Sequence, residues 1–511
     1  MSSLKGIAKN LSAAFSAHVV SVLQQVALTP LFLKNYGAAG FGEWMALSAS
    51  VSYLGTLDFG IQTFVNQDLT MRYYRGDMQD FHVQQSTALR MLLGIVTVAG
   101  LIALVALVLP LEHWLRMDGS AGGPVQTAHT VRGTVLVLAL TVLSNILFGF
   151  VSGQFMVLNR THVGQYWVNA RNLSTILVAV PVLWIHGSFL LIAAAQLAAI
   201  LVCFAGMLFT LFRIGRHIFP TLRYWDGSSV GAILRPSGYF ALIQSCNFLA
   251  YQVPVLMLER GAGPVAVAIF SITRTIFSMT RNVMNAFTQA VGPEVTTLYA
   301  KLDWPRLSRL YDYSERLVFA LIPIANIGTL FLCPLLLTIW LRQPQLFVPG
   351  VYVLSAAVSI AMSAKEHKLV FQFCTNTHRE LARFMFAIYL VLVAAWFYLV
   401  PHYGIYGLMW GWFAAELSQV LYLIWLNAKF FASHQVLELK YPVRMALLSV
   451  ALLAGALAML PKSAHLGLPE QSAIAIAVGL LLLGLDVPLF GLVPVWGTMW
   501  GVVQKRLARS T

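Results

Sequence analysis

Apolar residues run through this chain in long blocks, separated by short stretches rich in Arg, Lys, Gly and Pro. Fourteen such blocks stand out, at roughly 8–33, 41–66, 87–110, 131–157, 163–185, 188–212, 236–258, 264–290, 317–341, 349–374, 383–400, 404–430, 442–461 and 471–495. At ~1.5 Å per residue, a helix of ~20 residues crosses the ~30 Å hydrocarbon core of a bilayer. The pattern predicts an all-α polytopic membrane protein with about fourteen transmembrane helices.

Inside several blocks the polar residues fall into stripes. In the eighth, Arg274 and Arg281 are seven residues apart, with no acid between residues 264 and 290. That spacing puts both on one helical face, two turns or ~10 Å apart. Ser278, Asn285 and Thr288 share the face, whereas Ile276, Met279, Val283 and Phe287 take the other. Each mid-helix Arg costs ~2.5–3.5 kcal/mol on an insertion scale, and each large apolar residue returns only ~0.3–0.6. The segment is thus stable in a membrane only if its polar face meets other helices or a water-filled cavity. Further stripes run along the first block (His18, Ser21, Gln25, Thr29), the second (Ser48, Ser52, Gly55, Asp58, Gln62, Asn66) and the seventh (Ser237, Gln244, Asn247, Tyr251). Hydrogen bonding between helices is the commoner fate of any one such stripe. Four of them on helices 1, 2, 7 and 8 point to a shared hydrated cavity between two lobes, lined by His18, Gln25, Asp58, Gln244, Asn247, Ser278 and Asn285, with Arg274 and Arg281 as its charged positions. Arg171 and Lys365 are further candidate cations for a substrate. Arg171 lies close enough to a span end to snorkel. Lys365 shares a face with Lys368 and Gln372, with Glu366 and His367 between them. Glu416 and Asp486 read as lone acids, a role more often structural than proton-carrying.

The stripes are paired by an internal repeat. Pro30–Ala38, closing the first span, parallels Pro254–Ala262, closing the seventh, at an offset of 224; Arg75-Gly-Asp77 parallels Lys301-Leu-Asp303 at 226. Six helices per half is an even number, so both halves enter the membrane the same way, as a parallel repeat. The expected organisation is two pseudo-symmetric six-helix lobes, 1–235 and 236–432, followed by two extra C-terminal helices and a tail in 433–511.

Charge then sets the orientation. Lys and Arg number 33 against 19 Asp and Glu, a net charge of +14, yet only 10% of the 511 residues are charged and 59% are hydrophobic. Most cations fall in alternate loops, from Arg72 and Arg75 through Arg213, Arg216 and Arg223 to Lys505, Arg506 and Arg509. The positive-inside rule makes those loops, and both termini, cytoplasmic. The basic balance therefore calls for no nucleic-acid partner. Lys5 and Lys9 lead into an apolar segment too long for the core of a cleavable signal. Cys203, Cys246, Cys333 and Cys374 all lie in apolar blocks, with no metal-ligand spacing. No phosphate-binding loop of the Gly-x-x-x-x-Gly-Lys-Ser/Thr form occurs, which excludes ATP as the direct driver and leaves a proton or sodium gradient, or the membrane potential, open.

Local strings sharpen the picture: Tyr36-Gly37 with Phe41-Gly42-Glu43-Trp44, Leu57-Asp58-Phe59-Gly60-Ile61, and Tyr403-Gly404-Ile405-Tyr406-Gly407. With fourteen spans, they make the whole chain resemble the polysaccharide-transport branch of the multidrug/oligosaccharidyl-lipid/polysaccharide (MOP) flippase superfamily. The resemblance implies alternating inward- and outward-facing states, a cationic cavity, and an undecaprenyl-diphosphate-linked oligosaccharide moved across the bacterial plasma membrane for surface polysaccharide (O-antigen or exopolysaccharide) synthesis. A polysaccharide polymerase and a chain-length regulator would be its partners beside membrane lipids. A multidrug antiporter of the same superfamily is the nearer alternative, although such proteins usually stop at twelve spans and favour acidic sites. A membrane glycosyltransferase or polymerase has less support, because the one sizeable outer loop offers only Glu112, His113 and Asp118, without obvious partners. The topology is testable: reporter fusions at Gly122 and Ser463 should read as external and fusions at Asp77 and Asp226 as internal, and reversal at two of these sites would overturn it.

Overall fold

Two glycines fold the chain back on itself. The computed structural model describes residues 2–114, 117, 127–375, 377, 379–434, 437–463 and 466–490. Its first helix, α1 (Ser2–Ser52), is interrupted at Gly37, whose backbone (φ 69°, ψ −176°) lies in a region open essentially to glycine alone. Phe32 and Trp44 stack across this point with ring centroids 5.3 Å apart. In an unbroken helix twelve residues span ~18 Å, so the two legs of α1 must run back alongside each other. Gly404 (φ 57°, ψ −138°) does the same in α13 (Arg379–Phe431), where the Trp396 indole donates to the carbonyl of Leu408 at 3.0 Å.

Between these landmarks come α2 (Ile61–Arg75), α3 (Met78–Ala103), the short α4 (Leu111–Trp114), α5 (Ala128–Val157), α6 (Thr161–Trp184), α7 (Phe189–Ile214), α8 (Ser228–Tyr251), α9 (Val253–Ala262), α10 (Pro264–Ala300), α11 (Trp304–Leu336) and α12 (Pro349–Cys374), with α14 (Lys440–Ser463) and α15 (Leu468–Leu489) after α13. Among the described residues there are fourteen helices of seven or more residues and no strand. Six described helical stretches, including the folded-back α13, are long and apolar enough to cross a membrane. Helices α10 and α12 are less apolar because they carry charged side chains in mid-helix. The chain is an all-α polytopic membrane protein.

It divides into two compact units, residues 1–271 and 272–511. In the first, α5 is the central helix, packed by α1, α2, α3, α6 and α7. The contact with α2 depends on two glycines of α5. A Cβ at Gly149 would lie 1.9 Å from Oε1 of Gln62, and one at Gly153 would lie 1.9 Å from Nδ2 of Asn66. The two amides, one turn apart on α2, fill the notch that the glycines leave, as small residues allow between membrane helices. From there a hydrogen-bonded chain runs inward: Gln154 donates to Asn66 (3.3 Å), and Gln85 donates to Gln154 (2.8 Å) and to the carbonyl of Ile218 (2.8 Å). The N-terminal end of α5 is fixed by Arg132, which grips Glu112 of α4 through both carboxylate oxygens (2.6 and 3.1 Å). That guanidinium holds the Glu112 carboxyl below its ordinary pKa, and it supplies the partner that the sequence left unidentified.

In the second unit α11 and α12 are central, flanked by α13, α14 and α15. The C-terminus of α15 is held by two arginines from neighbouring helices. Arg444 of α14 donates to the carbonyl of Leu489 at 2.8 Å, and Arg316 of α11 donates to that of Phe490. Cations at a helix C-terminus satisfy its orphan carbonyls and complement its dipole.

The repeat is visible in backbone detail, with one correction. Gly37 matches Gly263 (φ 83°, ψ 172°), not Gly261, which is still helical within α9. The offset is then 226, the same as between Gly76 (φ 85°) and Leu302 (φ 56°), and between Asp77 and Asp303, which precede α3 and α11 with near-identical backbones (φ −80°, ψ 65° and φ −83°, ψ 70°). The halves differ where the second span bends. The first half breaks into a short 3-10 stretch over Tyr53–Asp58 and two left-handed residues, Phe59 and Gly60, whereas α10 continues unbroken for 37 residues.

Packing at the glycine notch gives a direct test. Gly153→Ala should rotate the Asn66 amide out of its site and strand Gln154, costing about 1–3 kcal/mol, the range for an unsatisfied buried polar group. Gly231→Ala, at a helical position with open space, should be neutral or slightly stabilising. Thermal unfolding of the purified chain in detergent reads both; equal midpoints would show that the notch is not a tight contact.

Candidate functional site: the cationic face of α10

Both arginines of α10 lie in the second unit, and both side chains are half-buried. Thr275 and Ser278 between them are also half-buried, and Ser278 donates to the carbonyl of Thr275 at 2.8 Å. Asn285 continues the face one turn beyond Arg281. The opposite side divides: Ile276 is buried, while Val283 is exposed. Towards α11, Thr280 shares a hydrogen bond with Thr329 at 2.7 Å. Towards α12, Nη1 of Arg281 lies 2.8 Å from the Sδ of buried Met362. A thioether is a weak acceptor and carries no charge. The contact helps to position the guanidinium against α12.

Elsewhere in the same unit, buried cations have buried anions. Lys365 of α12 is 4% exposed and pairs with Glu416 of α13 at 2.5 Å; Tyr389 donates to the same carboxylate at 2.6 Å and Trp412 at 3.2 Å. Three residues on, Lys368 pairs with Glu315 of α11 and donates to Tyr311. One turn further, Gln372 donates to Asn427, whose own amide donates to the carbonyl of Lys368 at 3.1 Å. The stripe of Lys365, Lys368 and Gln372 was legible in the sequence, but its meaning changes: it clamps α12 to α11 and α13. Glu416 is therefore not a lone acid, and the charge of Lys365, expected at the substrate, is already compensated within the protein. Asp486 lies where the side chain is outside the described residues.

The candidates in the first unit divide in the same way. Asp58 is 6% exposed, and its oxygens accept from the backbone N–H of Gly60 (3.1 Å) and from Gln62 (3.0 Å). It secures the break in the second span, so its oxygens already serve the fold. Arg171 donates to Asn145 (2.8 Å) and Asn172 (2.9 Å) and lies 4.9 Å over the Phe148 ring, a cation–π distance. Its head is thus engaged within the helix bundle instead of snorkelling. Asn247 donates to Gln244 at 3.3 Å on an exposed face of α8. The side chains of His18 and Gln25 are outside the described residues. Sequence reasoning missed Gln85, Gln154 and Glu315; the available signal was a full amide or carboxylate inside an apolar block, a demand for a partner wherever it occurs.

The Lys365–Glu416 pair can be weighed directly. Lys365→Met leaves a buried carboxylate without its cation and should cost about 3–5 kcal/mol, whereas Lys365→Met with Glu416→Gln should recover most of that loss. Thermal unfolding in detergent measures each, and a single variant as stable as the parent would exclude the ion pair as a structural clamp.

Neither a protein-family model nor a curated protein sequence matches the chain. Solved structures do. An inward-facing multidrug resistance MATE family transporter of the MOP superfamily superposes with a TM-score of 0.65 at 15% identity, covering 81% of this chain and 94% of the other. The lipid II flippase MurJ, in an inward closed conformation, gives 0.62 at 12% identity over 94% and 99% of the two chains. The MATE multidrug transporter DinF-BH gives 0.55 at 15% identity over 82% and 94%. The chain shares the fold of these MOP-superfamily transporters and flippases.

Proposed function

We propose that this protein is a flippase that carries an undecaprenyl-diphosphate-linked oligosaccharide across the bacterial plasma membrane, with both termini in the cytoplasm. The observation that carries the proposal is the face of α10: two half-buried arginines a double turn apart, with Ser278 and Asn285 on the same polar stripe. A lipid diphosphate crossing hydrocarbon without partners would lose far more solvation than its contacts could return. Guanidinium forks donate to phosphate oxygens in pairs and are less strongly hydrated than ammonium, so they can replace that solvation. The fold supports a transport role, and one of the fold neighbours is itself described as a lipid II flippase, aligned over more of this chain than the multidrug transporters. A cationic face argues against cationic drugs as cargo. Energy would come from a proton or sodium gradient, or from the membrane potential acting on the headgroup charge. Polysaccharide polymerase and chain-length regulator would follow it in the same assembly line.

Arg274→Ala should lower surface glycan about ten- to a hundredfold, the equivalent of a charged hydrogen-bond contact of ~1.5–3 kcal/mol, and accumulate lipid-linked oligosaccharide on the cytoplasmic side. Arg274→Lys should retain part of the activity, since a point charge remains and the fork is lost. Arg342→Ala, outside the face, should be nearly silent. Immunoblotting for membrane level and gel analysis of surface glycan decide it: a well-inserted Arg274→Ala variant that exports normally sinks the reading.

A further inference from the structure

The first unit carries a second feature of interest, on its own surface. A groove of about 740 Å³ runs along α3, between the broken second span and the start of α8. Arg90, Gly94, Val98 and Ile102 follow one another at intervals of four, so they line one face of α3 over ~18 Å. Val98 and Ile102 are more than half exposed, and Phe59, at the left-handed break, forms the opposite wall. Gly94 gives the groove its depth: a Cβ there would meet nothing within 4 Å. The walls are hydrocarbon until the Arg90 end. There the guanidinium donates one N–H to the carbonyl of Leu222 and lies 5.6 Å over the Trp225 ring. It has five N–H donors, so most remain available to a ligand. Arg223 and Arg235 lie in the same segment, from the end of the 215–227 loop into α8. The neighbouring acid, Asp226, is directed into the first turn of α8, where Ser228 and Ser229 occupy its oxygens.

We infer that this groove seats the isoprenoid chain of a phosphorylated polyprenyl lipid, with Arg90 meeting the phosphate at its open end. The shape fits a single long chain with one anionic end: an extended apolar trough, one cation at its mouth, and a glycine where any side chain would narrow it. The inference rests on the flippase reading for the identity of the lipid. It assigns the tail of that lipid a place on the first unit, a role for which the arginines of α10 are chemically unsuited.

The test uses the full chain in phosphatidylethanolamine/phosphatidylglycerol vesicles, with undecaprenyl monophosphate bearing a diazirine in its tail. Photolabelling followed by peptide mapping should concentrate the label on residues 91–102 of α3 and on Leu234. Gly94→Trp, which fills the groove, should lower labelling at least fivefold. So should Val98→Trp, at an exposed position where folding is little at risk. Arg90→Ala should weaken labelling by the phosphate severalfold but leave labelling by the uncharged polyprenol unchanged. A hundredfold excess of phosphatidylglycerol should not compete. Label spread evenly over the lipid-facing helices, indifference to both Trp variants, or equal competition by phosphatidylglycerol would each reduce the groove to ordinary lipid contact and overturn the proposal. No glycan and no transport enter this assay. Normal export by Arg274→Ala would therefore refute the headgroup clamp while leaving the groove result standing, and the reverse holds equally.

Discussion

A charge or amide inside hydrocarbon must find its partner within the chain, and that constraint organises this protein more than its apolar content does. Leu, Val and Ile gain little by exchanging lipid tails for one another, so they do not decide which helix touches which. The polar groups do. In the first unit Gln62, Asn66, Gln154 and Gln85 tie α2, α5 and α3 together across a notch cut by Gly149 and Gly153. In the second, α12 is held on two sides by Lys368–Glu315 and Lys365–Glu416. The arginines of α10 are set out differently, two turns apart on one face, with no acid between residues 264 and 290.

The two halves share a backbone plan at matching turns 226 residues apart, yet they treat the second span of each half differently. The first half breaks that helix and fixes the break with Asp58; the second leaves it whole and places cations on it. At the offset of 226, Arg274 and Arg281 correspond to Ser48 and Gly55. The two copies share the frame, and only the second carries a cation at these positions.

Much of this was legible in the sequence. The all-helical class followed from block length, and the polar stripes marked helices that do carry polar contacts. Individual partners were not legible, because a stripe states that a partner is needed and not which helix supplies it. Lys365 and Glu416 are 51 residues apart, and nothing in either local sequence names the other. Periodicity places Asp58 on a polar stripe because it assumes a continuous helix; at the break its carboxylate accepts from the Gly60 backbone and from Gln62, contacts that no spacing announces. The groove on α3 was also invisible, since Gly94 and Val98 look like any apolar block until a neighbouring helix bends away from them.

The attachment of α15 has an evolutionary corollary. Arg316 and Arg444 grip α15 by the carbonyls of Leu489 and Phe490, which are main-chain atoms present whatever the side chains. Such a joint places almost no demand on the sequence of the helix that it holds. The outer surface of α15, where Ile476, Leu480 and Leu481 face outward, is then free to drift with the thickness and composition of whichever membrane the lineage occupies. In a polytopic protein most surfaces are committed to neighbours; a helix fastened by its backbone is one part that can be retuned without renegotiating the rest.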